Sequence, residues 1–256
     1  MFKDYELEIL YKDSYLIAIN KPSGLLVHKS MIDRHEIYFA MKILRDQIGQ
    51  WVYPIHRLDK PTSGVLLFAL DSETARLLSE QFKEKIIKKK YIAIVRGYID
   101  EEGFVDYPLS VKFDKITDKK ANLDKDAEEA QTAYKRLSTV ELDHAVGKYA
   151  QTRYSLVELY PRSGRKHQLR RHMKHLSHHI LGDTKYGRGE HNKMVREHYN
   201  CHRLMLHSHA LEFMHPYTKE VVYLQARVDE TWMRLLGLFP FSLDVSLHHC
   251  RQQNNQ

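Results

Sequence analysis

A dense group of charged side chains runs directly into a strongly apolar segment in the first third of the sequence. His56, Arg57 and Asp59 precede a turn at Pro61–Gly64, and the apolar run Val65–Leu70 follows that turn. A short apolar run after a Pro-Gly turn is typical of a buried strand. A carboxylate at the start of such a strand is held in a fixed position, but an Asp before a turn also commonly caps it. The pattern alone leaves open whether Asp59 is a functional carboxylate or only a cap of the turn.

Short strand candidates dominate the rest of the sequence, and a few amphipathic helices interrupt them. The strand candidates are Leu7–Leu10, Tyr15–Ile19, Val65–Leu70, Tyr91–Val95, Thr132–Leu142 and Thr152–Leu159. Apolar residues at helical spacing predict one helix over residues 37–48, which Gly49 ends, and another after the N-cap candidate Asp71-Ser72. Most connections are too short for repeated βαβ crossovers, so we expect an α+β fold with a mainly antiparallel mixed sheet. The absence of a linker predicts one domain over residues 1–240, followed by a tail at 241–256.

The composition is that of a globular protein with a moderate positive charge. Hydrophobic residues make up 43% of the 256 residues, and the formal net charge is +7. This charge is compatible with a polyanionic partner but does not establish one. The longest apolar runs are too short to span a membrane, and the first residues lack the apolar segment of a signal peptide. Cys201 and Cys250 are the only cysteines, which fits a reducing compartment. We therefore expect a cytoplasmic protein without membrane association.

A second concentration of charge lies at residues 163–175, where eight residues are Arg, Lys or His. Apolar residues at helical spacing, beginning at Leu169, predict a helix with one buried face. Arg170, Arg171 and Lys174 are then expected on the outer faces, where they are candidates for contacts with phosphate groups. The alternative is a basic helix that is merely solvated.

The histidine-rich segments do not match a metal-binding motif. The groups at 172–179 and 248–250 are not accompanied by a second Cys pair or a His-Glu-x-x-His motif. Glycine-rich nucleotide-binding motifs and the Gly-x-Ser-x-Gly turn of hydrolases are also absent. We therefore expect neither a metal ion nor another cofactor.

Four segments resemble the motifs of one enzyme family, the pseudouridine synthases of the RluA type. His-Arg-Leu-Asp-x-x-Thr-Ser-Gly, beginning at His56, is similar to the catalytic motif, and Gly-Arg-x-His-Gln-Leu-Arg-x-His, beginning at Gly164, is similar to the third motif. The segments beginning at Ile17 and Lys89 also resemble family motifs, and the first of these is expected to buttress the active site. The resemblance implies the pseudouridine synthase fold, with flanking helices and a central cleft in the sheet. It also implies isomerisation of uridine in RNA without a cofactor.

The resemblance also implies roles for individual residues. Asp59 is the expected catalytic carboxylate, Arg165 its ion-pair partner, and Tyr91 an aromatic wall of the base pocket and a candidate acceptor of the C5 proton. Substrate contacts are expected from Arg57, Leu169, His56, Arg170, Arg171 and Lys174. Among these, Arg57 is expected to occupy the space that the flipped base vacates. The sequence leaves open whether Asp59 attacks C1′ of the ribose or C6 of the uracil.

Several features favour tRNA as the partner within this family. The compact length, the variant third motif and the charged insert at 112–130 most resemble a branch that modifies a uridine near the TΨC stem of tRNA. An S4-like N-terminal RNA-binding domain, frequent in the rRNA enzymes, is not expected, because the first strand candidate begins near residue 7. Two alternatives stay open: a synthase that acts on rRNA or on several RNAs, and a non-catalytic RNA-binding or RNA-folding protein. A monomer is the expected state.

Overall fold

A computed structural model describes residues 2, 5–29, 35–110 and 126–240. The elements within these ranges are β1 (Glu8–Lys12), β2 (Leu16–Lys21), α1 (Ala40–Ile48), β3 (Tyr53–Pro54), β4 (Ser63–Ala69), α2 (Ser72–Lys83), β5 (Lys88–Arg96), β6 (Glu102–Asp106), β7 (Gln131–Leu142), β8 (Thr152–Pro161), α3 (Gln168–His175), α4 (Gly189–Tyr199), β9 (Leu206–Met214), β10 (Val221–Gln225) and α5 (Glu230–Leu236). Most of the predicted insert and all of the predicted tail lie outside the described residues.

The strands of the described ranges form one mixed sheet. Its main path runs β1-β2-β4-β9-β5-β8-β7-β6, with β3 beside β4 and β10 beside β9. Neighbouring strands pair antiparallel, with the exception of β4 and β9, which are parallel through Ser63 opposite His207 and Gly64 opposite Ser208. The predicted α+β fold with a mainly antiparallel mixed sheet is confirmed. The structure adds the position of the parallel pair, which joins the start of β4 to the centre of the sheet.

Two of the helices end or begin where local sequence signals place them. The carboxylate of Asp71 caps α2 by accepting a hydrogen bond of 2.8 Å from the backbone N–H of Thr74. Gly49 ends α1 in the left-handed conformation, at a φ of 68°. Helix α1 is shorter than predicted, since it begins at Ala40 and leaves Ile37 62% exposed.

Helices α1 and α3 pack on different parts of the sheet, in separate apolar clusters. Helix α1 packs on β2 and β4 in one apolar cluster, and α3 packs on β5 and β8 in another. Tyr91 contacts both clusters. It therefore lies where the α1 and α3 sides of the sheet meet, next to the parallel pair of β4 and β9. The expected central cleft opens at this point.

Candidate active site

Asp59 lies in the turn just before β4, beside a cavity of about 130 Å³. The turn is fixed by a hydrogen bond of 3.0 Å from the Thr62 backbone N–H to the Asp59 carbonyl. The segment that begins at Ile17 also holds this turn. The buried Lys21 ammonium donates to the Lys60 carbonyl at 3.2 Å and to two carbonyls of its own turn. All three ammonium hydrogens thus hold backbone in place. Burial lowers the pKa of Lys21 to about 7, with the charge of Arg203 acting in the same direction.

The cavity gathers most of the predicted site residues. Those that line it are His56, Arg57, Asp59, Tyr91, Arg165, Leu169 and Arg170. Arg171 and Lys174 lie outside it. The sequence motifs at residues 56–64, 89–97 and 164–172, which are far apart along the chain, therefore meet at one place.

Arg170 provides the guanidinium that contacts Asp59. Its Nη1 lies 3.0 Å from Asp59 Oδ2, while Nε and Nη2 donate to the two oxygens of Asp183 at 2.7 and 2.8 Å. The side chain of Arg170 is only 6% exposed. Burial by itself would lower the pKa of Arg170, but the hydrogen bonds and charges of Asp183 and Asp59 raise it above its ordinary value. A permanent positive charge is therefore fixed beside Asp59, with its orientation set by Asp183.

The predicted ion pair between Arg165 and Asp59 is wrong. Arg165 Nη1 lies 2.8 Å from a carboxylate oxygen of Glu128, and its Nε donates to the carbonyl of Glu129. The reason is positional: Arg165 precedes α3 at the rim of the cavity, whereas Arg170 is in the first turn of α3 and faces inward. The prediction of an outward-facing Arg170 is wrong for the same reason.

Tyr91 forms a wall of the cavity from the strand β5. It lies opposite Ser208 of β9 in the sheet. Burial raises the pKa of Tyr91 to about 12, and the negative charge of Asp59 acts in the same direction against a hydrogen bond from Ser208. The phenol is therefore protonated at neutral pH in the free protein. In this state it can pack against a base or donate a hydrogen bond, whereas accepting a proton requires a change in its surroundings.

Two ionisable residues of the cavity were not among the predicted site residues. His167 Nε2 lies 3.8 Å from Asp59 Oδ1, and burial lowers the pKa of His167 to about 4 despite the nearby carboxylate. Burial lowers the pKa of Lys89 to about 8, and its ammonium donates to the carbonyl of Ser163 at 2.9 Å. Lys89 belongs to a run of lysines typical of a solvated edge, so the sequence pattern does not indicate that it lines the cavity. For His167 a signal exists, since it stands inside the third motif.

His56 has a structural place in the wall of the cavity. Its Nε2 accepts a hydrogen bond of 3.1 Å from the backbone N–H of Leu67, and its ring stacks on Phe82 with the centroids 5.1 Å apart. Burial lowers the pKa of His56 to about 3, with the charge of Lys89 contributing. A neutral His56 ring thus ties the turn to β4. A contact between its other nitrogen and the substrate stays a prediction.

The remaining predicted residues lie at the mouth of the cavity or along the outer side of α3. Arg57 is exposed and borders the opening. Arg171 donates to the carbonyl of Ser110 at 3.0 Å, and Lys174 is exposed to solvent. Their contacts with RNA stay predictions.

The histidines at 172–179 have protein partners in the described structure. His172 hydrogen-bonds with the hydroxyl of Thr132, His178 with the carbonyl of Arg96, and His179 with a backbone carbonyl seven residues further on. Across the described ranges, no group of three or more His, Cys, Asp or Glu side chains is arranged to hold a metal ion. No helix in those ranges is long and apolar enough to cross a membrane.

Known proteins are similar in sequence to this chain over almost its whole length. The tRNA pseudouridine synthase C of Pasteurella multocida is 58% identical over 242 residues, which are 94% of this chain and 99% of that protein. The protein of the same name from Vibrio parahaemolyticus is 55% identical over 240 residues, which are 94% of this chain and 98% of its own.

Solved structures and a family model lead to the same family. Human RNA Pseudouridylate Synthase Domain Containing 1 matches with a TM-score of 0.66 at 26% identity, covering 87% of this chain and 84% of its own. Human RNA Pseudouridylate Synthase Domain Containing 4 matches with a TM-score of 0.64 at 28% identity, covering 90% and 92%. The family model described as RNA pseudouridylate synthase matches residues 15–175, a range that contains Asp59, Tyr91 and Arg170. The chain therefore belongs to the RNA pseudouridylate synthase family.

Proposed function

We propose that this protein isomerises a uridine of tRNA, near the TΨC stem, to pseudouridine and that Asp59 is its catalytic carboxylate. The observation that carries the proposal is the position of Asp59, which lies 3.0 Å from a buried guanidinium in a cavity walled by Tyr91 and Leu169. The tRNA substrate is supported by the relatives, which carry the name tRNA pseudouridine synthase C at 55% and 58% identity. The enzyme is expected to act in the cytoplasm, as a monomer.

The reaction sets three chemical requirements on the site. The bond between uracil N1 and ribose C1′ breaks, the bond between C5 and C1′ forms, C5 loses its proton and N1 gains one. The enzyme therefore needs an ionised carboxylate, a pocket that retains the detached uracil and an acceptor for the C5 proton. No electron leaves or enters the substrate, so the isomerisation needs no redox cofactor.

Asp59 and Arg170 meet the first requirement. The guanidinium neutralises part of the carboxylate charge in a buried place and fixes which oxygen faces the cavity. Because Asp183 binds two other nitrogens of the same guanidinium, Arg170 keeps its position when Asp59 reacts. Either attack at C1′ or attack at C6 is compatible with this arrangement.

The cavity walls meet the second and third requirements. Leu169 and Leu206 offer apolar surface to a uracil ring, and Tyr91 offers an aromatic face. When Asp59 forms a covalent bond to the substrate, its negative charge disappears, which removes one of the causes that raise the pKa of Tyr91. On the C6 route this bond is still present when the C5 proton leaves, so proton acceptance by Tyr91 is easiest at that step. On the C1′ route Asp59 has already been released from the ribose when C5 loses its proton.

The target uridine has to leave its stack to reach this cavity. Arg57 is exposed at the opening, where its guanidinium can stack on the neighbouring bases and pair with a phosphate. Outside the cavity, Arg171 and Lys174 offer positive charge to the RNA backbone.

Mapping of pseudouridine in total tRNA and rRNA tests the proposal in a strain that lacks the gene. We expect the loss of one tRNA pseudouridine, restored by the wild-type gene and not by Asp59→Ala. Loss at an rRNA site instead would overturn the tRNA assignment and keep the chemistry. Restoration by Asp59→Ala would overturn the catalytic role and favour a protein that acts by binding or folding RNA.

A further inference from the structure

A second cavity, of about 560 Å³, lies at the far end of β5 and β8 from Asp59. Tyr91 of β5 lines the active-site cavity, whereas Arg96, the last residue of the same strand, lines the second one. Five residues along a strand correspond to about 17 Å. The two cavities are therefore separate places connected by one strand.

The charge in the second cavity is positive. Arg96 and Arg153 line it, and none of the described residues that line it carries a carboxylate. Arg153 is paired with Glu141, whereas Arg96 has no carboxylate partner among the described residues. The hydroxyl of Ser177 adds a neutral hydrogen-bonding group.

An adjoining cavity of about 200 Å³ extends the positive surface. It shares Arg96 with the larger cavity and adds Lys148 and Arg188, against the single carboxylate of Glu190. Tyr149 lies at the border of both cavities and is 59% exposed. An exposed aromatic ring among cations is suited to stacking on a nucleic acid base.

Arg96 is oriented by a chain of hydrogen bonds. Its Nε donates to His191 Nε2 at 3.1 Å, and His191 Nδ1 hydrogen-bonds with the hydroxyl of Tyr154 at 2.8 Å. Burial lowers the pKa of His191 to about 4, with the charge of Arg96 contributing, so the ring is neutral and Nε2 can accept. Within the described residues, the terminal nitrogens of Arg96 have no hydrogen-bond acceptor. A guanidinium fixed through Nε, with both terminal nitrogens available, is arranged for bidentate binding of phosphate.

We propose that this cavity is a second RNA-binding site, in which Arg96 binds a backbone phosphate of the tRNA at a distance from the target uridine. The inference rests on the proposed tRNA substrate. Helix α3 links the two places, because its first turn lines the active-site cavity and Ser177 and His178, just beyond its end, line the second. Lys174, in the last turn of α3, is exposed and lies between these two groups of residues in the sequence. One continuous RNA can therefore follow a basic surface from Asp59 to Arg96.

The separation of the two cavities predicts how long the RNA must be. At about 3.4 Å per stacked base step, 17 Å corresponds to about five steps. A short stem-loop with only two or three base pairs beside the target uridine fills the active site without reaching Arg96. Full-length tRNA reaches both.

Binding measurements on Arg96→Gln test the inference, with Arg196→Gln as the matched control. Arg196 is an exposed cation on the same helix as His191 and lines neither cavity. We expect Arg96→Gln to raise the Kd for full-length tRNA about tenfold and to reduce the slope of log Kd against log salt by about one. The Kd for the short stem-loop and the kcat at saturating tRNA stay at wild-type values. Arg196→Gln changes none of these quantities.

Arg96→Lys separates charge from geometry. It keeps the positive charge and loses the planar fork, so we expect a smaller rise in Kd, about threefold, in a variant whose thermal unfolding matches wild type. The inference is overturned if Arg96→Gln binds full-length tRNA as tightly as wild type, or if it weakens the short stem-loop equally. Failure of the proposed function is recognised separately, since the wild type would then form no pseudouridine in tRNA.

Discussion

Arg170 Nη1 lies 3.0 Å from Asp59 Oδ2, while its other nitrogens are held by Asp183. The three side chains form a chain of charges in which Asp59 and Arg170 line the cavity and Asp183 does not. Asp183 is almost fully buried, with 1% of its side chain exposed. Burial would raise the pKa of Asp183, but Arg170 lowers it below its ordinary value, so the carboxylate of Asp183 stays charged beside the guanidinium. The orientation of the proposed catalytic carboxylate thus depends on Asp183, a residue that does not line the cavity.

Substitutions of Arg170 and Arg165 distinguish the observed partner of Asp59 from the partner that the motif predicts. Arg170→Lys keeps the charge but cannot bind Asp183 through two nitrogens and Asp59 through a third. We expect kcat on a tRNA transcript to fall at least about a hundredfold. Arg165→Lys, whose side chain pairs with Glu128 at the rim, is expected to lower kcat less than about threefold. Equal losses in the two variants would contradict the assignment of Arg170.

Removing the hydroxyl of Tyr91 tests its part in proton transfer. Tyr91→Phe keeps the aromatic wall and should leave the Kd for tRNA unchanged, while kcat falls about a hundredfold. Tyr160→Phe is the control, because Tyr160 is a half-buried tyrosine whose pKa is also raised but which lies outside the cavity. Full activity of Tyr91→Phe in a single-turnover assay would show that the hydroxyl takes no part.

Features fixed by neighbouring residues could be predicted from the sequence. The cap of α2 at Asp71 and the end of α1 at Gly49 depend on the local chain, and both are found as predicted. Helix α4 is not among the helices predicted from the sequence. Its buried residues are Asn192, Met194 and Val195, and these do not form the apolar stripe of an amphipathic helix.

Relationships across the chain could not be predicted in the same way. A motif match gives residue types at positions, but it does not say which of two arginines five residues apart turns inward. That choice depends on Asp183, which lies beyond the third motif, and on the buried first turn of α3. The parallel pairing of Ser63 with His207 joins residues that are distant in sequence and carries no local signal.

The buried histidines predict a loss of stability in acid. Burial lowers the pKa to about 3 for His207 and to about 4 for His209, far below the ordinary value of 6.5. Below pH 6.5 the unfolded chain therefore takes up protons that the folded chain does not. The free energy of unfolding should fall as pH falls from about 7.5 to 4, by about 1 kcal/mol at pH 5.5 for each fully buried histidine.

Urea unfolding at pH 7.5 and 5.5 measures this effect. His207 is the residue to replace, because its ring bonds Ser63 Oγ at 2.8 Å and the carbonyl of Ala226 at 3.3 Å and is 1% exposed. His207→Gln should be less stable at pH 7.5 but lose about 1 kcal/mol less than wild type between the two pH values. An unchanged pH dependence in this variant would contradict the assignment of a neutral buried ring.

Gly64 permits the close pairing of β4 with β9. Its φ is 110°, and a Cβ at this position would lie 2.1 Å from the carbonyl oxygen of Ser208. Gly64→Ala should therefore cost at least about 3 kcal/mol in the free energy of unfolding. Gly49→Ala, with a φ of 68° and no atom near the added Cβ, should cost about 1 kcal/mol. Similar costs for the two variants, measured by denaturant unfolding, would show that the β4–β9 approach is not tight.

The proposed function requires Asp59 for pseudouridine formation in tRNA. Release of tritium from a tRNA transcript labelled at C5 of uridine measures the isomerisation directly, since C5 loses its hydrogen only when the new bond forms. We predict release of one tritium per tRNA by the wild-type protein and no release by Asp59→Asn, with both proteins binding the transcript equally well. Tritium release by Asp59→Asn at the wild-type rate would contradict the proposed catalytic role of Asp59.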